Sequence, residues 1–318
     1  MRFAALRLCV RSLNGKASLN YAYATMPASS PRCTTEERMA PLTFKVAPKS
    51  KVQLAKLDPR YDADLDRAKA EADFVKLTAE LDELQELLFG AGTHSLLVVM
   101  QGMDTSGKDG TVRKVFSQVS PLGSYVVSFK VPTEDELAHD FLWRIHQRTP
   151  AKGMIGIFNR SHYEDVLVVR VHDLVPEAVW RERYRIINAF EHGLVQSNTI
   201  ILKFYLHLSK QEQEKRLLER EQAATKTWKL AAGDWREREF WDAYVAAYEE
   251  MLEQCSPAEA PWQIVPADRK WYRNYAVAKT VVETLRDYKA EWLAKLETIG
   301  ATRLQELKAL REGQPSGA

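Results

Sequence analysis

A short apolar run, Ser95–Met100 (SLLVVM), leads without a break into QGMDTSGKDGT, and this junction constrains the chain more than any other stretch. The run reads as a buried parallel strand. Gly102 followed by Gly107-Lys108 has the G-x-x-x-x-G-K spacing of a phosphate-binding loop, and the stretch from about Gly110 to Val119 reads as the helix such a loop needs behind it. Glycines let backbone N–H groups converge on phosphate oxygens, and the helix N-terminus adds partial positive charge. Lys108 supplies a full, mobile charge. Gly102, Thr105, Ser106, Gly107, Lys108, Asp109 and Gly110 are therefore the expected phosphate-binding residues.

Two residues depart from the usual loop. Asp109 stands where a metal-binding hydroxyl normally follows the lysine, and Asp104 lies inside the loop itself. An acid among phosphates is repulsive unless a cation lies between them, so Asp104 reads as a magnesium ligand that replaces the missing hydroxyl. Asp109, in the first helical turn, complements the helix dipole.

A second apolar strand, Met154–Phe158, ends in a burst of polar residues, Asn159-Arg160-Ser161-His162-Tyr163-Glu164-Asp165. Ligands of open parallel sheets sit at the carboxyl ends of strands. Asn159, Arg160, His162, Tyr163 and Glu164 are thus expected at a nucleotide, with Asn159 and Glu164 joining Asp104 at the metal. Arg160 can neutralise phosphate oxygens, bidentately if geometry allows. His162 reads as a hydrogen-bonding group; a phosphohistidine is not required, because a P-loop scaffold transfers phosphate in line without one.

Further strands are expected at Tyr125–Phe129, Thr199–Leu206 and Trp262–Ala267, and helices at 62–89, 134–147, 177–196, 210–221, 238–254 and 274–312. Strands alternating with helices imply a parallel sheet covered on both faces. Residues 214–241 form a cation-rich segment: Arg216 and Arg220 share a helix face, and Lys226 and Lys229 follow in a loop. Cations on a mobile segment that closes over phosphates are the natural partner of a P-loop, and their number suits a long polyanion. The stretch Asp268–Asn274 after the last strand reads either as a further cationic or nucleotide contact at the sheet edge or as a helix start with surface charges.

The chain of 318 residues carries a net charge of only +2, so no global basic field argues for a nucleic-acid partner. No run approaches the roughly 18 apolar residues of a membrane span. Cys9, Cys33 and Cys255 are scattered, which suits a reducing, cytoplasmic location. Residues 1–35 contain no acid but several arginines, so 1–45 reads as a disordered leader or a start placed too early, with organelle targeting as the alternative. The phosphotransferase domain is then 46–298, with a helical arm at 60–90 and a lid at about 210–238, and 299–318 is a helix end and tail.

The segments GMDTSGKDGT, FNRSHYEDVLV, KRLLEREQAATKTWKLAAGDW with WDAY after it, and ADRKWYRNYAVA resemble, in order and spacing over about residues 60–295, the polyphosphate kinase 2 family. The resemblance implies an α/β, P-loop NTPase-like three-layer fold: a mostly parallel central sheet flanked by helices, with a helical lid. It implies reversible, in-line transfer between the end of inorganic polyphosphate and AMP, ADP or a guanine nucleotide such as GDP, without a covalent intermediate. Mg2+ is the implied metal, with Mn2+ as a substitute, and a homo-oligomer, dimer or tetramer, is the expected assembly. Asp104, Lys108 and Arg160 match the family's catalytic positions, and Arg216 and Arg220 fall in its lid. Many relatives carry Asp where this chain has Asn159, and the NRSHYED form is closer to members that accept AMP as well as ADP. The rival readings are an ATP-dependent small-molecule or nucleoside monophosphate kinase, and a non-catalytic polyphosphate- or nucleotide-binding regulator.

Overall fold

The computed structural model describes residues 40–222 and 232–312. Most of the expected leader, the lid lysines Lys226 and Lys229 and the tail after Glu312 lie outside the described residues.

Six strands form one sheet: β1 (Phe44–Lys45), β2 (Ser95–Gln101), β3 (Ser124–Ser128), β4 (Ile155–Asn159), β5 (Thr199–His207) and β6 (Trp262–Pro266). Their order is β1-β6-β5-β2-β4-β3, and every pairing is parallel except β1 with β6. Phe44 and Lys45 of β1 lie inside the 1–45 stretch set aside from the fold. β2 and β5 are buried along their whole length, as central strands with both faces covered must be.

Ten α-helices lie among the described residues: α1 (Arg67–Ala91), α2 (Lys108–Val115), α3 (Glu134–Leu137), α4 (Trp143–His146), α5 (Glu164–Val171), α6 (Glu177–Gln196), α7 (Lys210–Gln222), α8 (Ala232–Glu237), α9 (Trp241–Gln254) and α10 (Lys270–Glu312). Successive β2 side chains alternate between faces. Leu96, Val98 and Met100 pack with α1, α2 and α10; Leu97 and Val99 pack with α5, α6 and α9. The result is the expected three-layer α/β arrangement.

α1 is capped by the Asp66 carboxylate, which accepts from the Lys69 N–H, and stops at Gly92, whose φ of 59° is a left-handed C-cap. The helix expected over 134–147 divides into α3 and α4. Asp140 breaks it, because its carboxylate takes the Leu142 N–H at 2.9 Å in competition with helical bonding. α10 begins at Lys270, four residues before the expected start, and α5 arises where only a polar turn was anticipated. No helix of the described residues is long and apolar enough to cross a membrane.

Candidate active site

β2 and β4 are neighbours with Met100 opposite Asn159, so their polar turns leave the sheet at the same edge. The Arg160 N–H donates to the Met100 carbonyl at 3.1 Å and locks the two turns together. In the first turn, Gly102, Thr105 and Gly107 have φ values of 147°, 63° and 99°. A Cβ on Gly102 would lie 2.8 Å from the Leu206 carbonyl oxygen of β5, so the loop can hug the sheet only with glycine there.

Lys108 points back under this loop. Its ammonium is buried and donates to the carbonyl oxygens of Gly102 at 2.6 Å and Met103 at 3.1 Å. Burial, and then the nearby Arg160 charge, lower its pKa to about 8. Beside it the hydroxyls of Thr105 and Ser106 are buried without a hydrogen-bond partner among the described residues. Buried polar groups are normally paired, so these mark a position for a ligand rich in acceptors.

In the second turn Arg160 bridges two acids. Its Nη2 is 2.5 Å from Asp104 Oδ1, and its Nη1 is 3.6 Å from Glu164 Oε2. Burial opposes its charge, but Glu164 and Asp104 outweigh that and raise its pKa above the ordinary arginine value. The site therefore holds a cation between Asp104 and Glu164 already. No group of three metal-ligating side chains converges among the described residues, so a divalent ion would draw its remaining ligands from phosphate oxygens and water. The Asn159 amide donates instead to Asp109 at 2.7 Å and ties the two turns across the cleft.

His162 and Tyr163, expected at the nucleotide, point the other way. Both are wholly buried in the core beneath the turn, where His162 Nε2 lies 3.2 Å from Glu191 and the Tyr163 hydroxyl donates to Glu191 at 2.7 Å. Burial lowers the His162 pKa and keeps the ring neutral. Three successive residues, Ser161, His162 and Tyr163, are tucked into the core and anchor the turn.

Arg216 and Arg220 of α7 differ in the same way. Arg216 is buried, and all its donor nitrogens are engaged: Nε with Glu212, Nη1 with the Thr105 and Ser106 carbonyls, and Nη2 with those of Ala267 and Asp268. It holds the loop from behind and does not face the cleft. Arg220 is more open and pairs with Asp234 of α8 at 3.2 Å. Burial, and then the neighbouring Asp104, raise the Asp234 pKa.

Sequence reasoning missed the far wall of the cleft. Glu237, Trp241, Tyr244 and Tyr248 line it opposite Gly102, Asp104 and Arg160. The signal was present, since 241, 244 and 248 share one helix face at spacings of three and four. Gln213 of α7 closes the cleft from a third side and donates to the Asp104 carbonyl at 3.1 Å.

Known proteins resemble this chain in sequence and in fold. A sequence profile for polyphosphate kinase 2 (PPK2) matches residues 64–292. An AMP/ADP-polyphosphate phosphotransferase of Meiothermus ruber is 50% identical over 76% of this chain and 91% of its own. An ADP-polyphosphate phosphotransferase of Rhodopseudomonas palustris is 41% identical over 85% of this chain and 96% of its own. The crystal structure of polyphosphate kinase 2 from Arthrobacter aurescens superposes with a TM-score of 0.73 at 39% identity, covering 78% of this chain and 92% of that one.

Proposed function

Because the chain belongs to the polyphosphate kinase 2 family, we propose that it transfers the terminal phosphoryl group of inorganic polyphosphate to ADP and to AMP. The observation that carries this reading is the pairing of an anion cradle with a second cationic turn at adjacent strand ends. Lys108 and the unpartnered Thr105 and Ser106 hydroxyls lie on one side, and Arg160 lies on the other. AMP is included because the relative with 50% identity is named for both nucleotides.

The acceptor's terminal phosphate oxygen is already anionic at neutral pH, so the chain needs no general base. It must align two polyanions and offset their repulsion. In this reading Lys108 follows the phosphoryl group and Arg160 neutralises its equatorial oxygens. Arg220, with Lys226 and Lys229, would cover the polyphosphate from the lid. Asp104 and Glu164, which Arg160 now bridges, with Asn159 at the end of the adjoining strand, offer oxygen donors of the kind that suits Mg2+ or Mn2+. A divalent ion held there supplies Lewis-acid charge to the phosphate oxygens. One phosphoanhydride is broken and one is made, so the transfer runs in both directions.

The proposed location is the cytoplasm, which the scattered cysteines favour, and the proposed assembly is a homo-oligomer, dimer or tetramer, to be checked by light scattering. Guanine nucleotides are further acceptors to be tested. The deciding experiment is chromatography of nucleotide products after purified protein is offered AMP, ADP or GDP with polyphosphate and magnesium. ATP from ADP and ADP from AMP, each strictly dependent on polyphosphate, is the expected result. Phosphorylation by ATP without polyphosphate would favour a conventional nucleotide kinase, and binding without transfer would favour a regulator; either overturns the proposal.

A further inference from the structure

Two buried guanidiniums meet behind the phosphate loop. Arg273, in the first turn of α10, donates from Nη1 to the Ser106 carbonyl at 3.0 Å, and Arg216 donates to the same oxygen at 3.2 Å. Arg273 otherwise bonds only the Asn274 side chain, and no carboxylate lies within ion-pair distance of it among the described residues. A Cβ on Gly107 would land on the Arg273 guanidinium as it now lies, so the glycine leaves room for that close approach.

The Ser106–Gly107 peptide is trans, so its carbonyl and its N–H point in opposite directions. Two charge-assisted bonds pull the carbonyl to the back of the loop. The Gly107 N–H then faces forward, and it finds no acceptor among the described residues. A glycine flanking this peptide, at φ 99°, makes the opposite orientation sterically easy, and that orientation would aim a carbonyl oxygen at the phosphates.

We propose that Arg273, with Arg216, is a positioning residue for phosphoryl transfer: it holds the Ser106–Gly107 peptide with its N–H toward the polyphosphate. The inference deepens the proposed function and rests on it. It also gives Arg273 a second role. A buried cation without a carboxylate partner is costly, and a dense polyanion a few atoms away offsets that cost. Burial, and then Arg216, lower the Arg273 pKa to about 9, in keeping with that cost.

Tripolyphosphate, titrated calorimetrically with magnesium present, tests the inference without turnover. Arg273→Gln should weaken its binding by about 10- to 100-fold, the range for a lost charged hydrogen bond, while ADP affinity is retained. Arg273→Lys, which keeps the charge and one donor, should recover part of the loss. In wild-type protein labelled with 15N-glycine, the Gly107 amide proton should move downfield when tripolyphosphate is added, and this readout survives even if Arg273→Gln fails to fold. Tripolyphosphate binding by Arg273→Gln at wild-type affinity, an equal loss of ADP affinity, or a Gly107 amide unmoved by the ligand would each overturn the assignment. Wild-type turnover with polyphosphate and ADP tests the underlying activity separately, so either idea can fail alone.

Discussion

Two lysines among the described residues are buried, yet their surroundings are opposite. Lys203, in the middle of β5, directs its ammonium to Glu191 at 2.5 Å, the Cys255 carbonyl at 2.8 Å and the Tyr163 hydroxyl at 2.9 Å. Every proton has an acceptor, and one acceptor is a carboxylate. Lys108 has only two loop carbonyls, no carboxylate within ion-pair distance among the described residues, and unpartnered hydroxyls beside it. The first environment is complete and serves the fold. The second lacks an anion, and that deficit is what a phosphate would fill.

The contrast separates stability from activity, and substitutions should do the same. Lys203→Met leaves Glu191 buried without its cation, which should lower stability by about 3–5 kcal/mol in urea melts. Activity per folded molecule should persist. Lys108→Ala should do the reverse. Loss of one donor to the transferring phosphoryl group costs about 3–4 kcal/mol of barrier, a hundredfold or more in turnover. Its melting temperature should hold or rise, because an uncompensated buried charge is removed. If both variants lost stability and activity together, the two environments would not differ as described.

The pH dependence sharpens the comparison further. Lys108 has its folded pKa lowered to about 8, so its charge is present below that pH and disappears above it. The quantity kcat/KM for polyphosphate reports the free enzyme, and should fall above pH 8 by up to about tenfold per unit. Stability takes the opposite sign. An unfolded lysine keeps its proton to about pH 10.4, so the unfolded state binds more protons between those values and the Lys108 contribution to stability increases across that window. A flat kcat/KM profile to pH 10 would contradict the assignment.

The smallest expected effect belongs to Asn159→Asp. It would face Asp109, now 2.7 Å from the Asn159 amide, with a like charge. A destabilisation of about 1 kcal/mol or less is expected in melts without divalent ions, reversed when magnesium is added. The same loss with and without magnesium would remove this position from the metal site.

Much of this was legible in the sequence because it was local. The spacing from Gly102 to Lys108, after an apolar strand, fixed the loop and its helix, and the expected 177–196 helix matches α6. What was not legible depends on elements distant in the chain. Nothing local tells which residues of the 159–164 turn face the core, so Tyr163 and His162 were expected at the nucleotide although Glu191 draws both inward. Arg216 carries an ordinary helical i,i−4 partner in Glu212, but its remaining donors are taken by carbonyls that only the fold brings near. Arg273 reaches the loop because β6 delivers α10 to the same sheet edge, a crossing that no spacing encodes.

The most direct test is a crystal structure with tripolyphosphate and magnesium. Its terminal phosphate should lie against the Gly107 N–H and the Lys108 ammonium, with Arg160 within reach of the same oxygens. Tripolyphosphate bound elsewhere, with residues 102–108 left without a phosphate, would contradict the phosphate-cradle assignment.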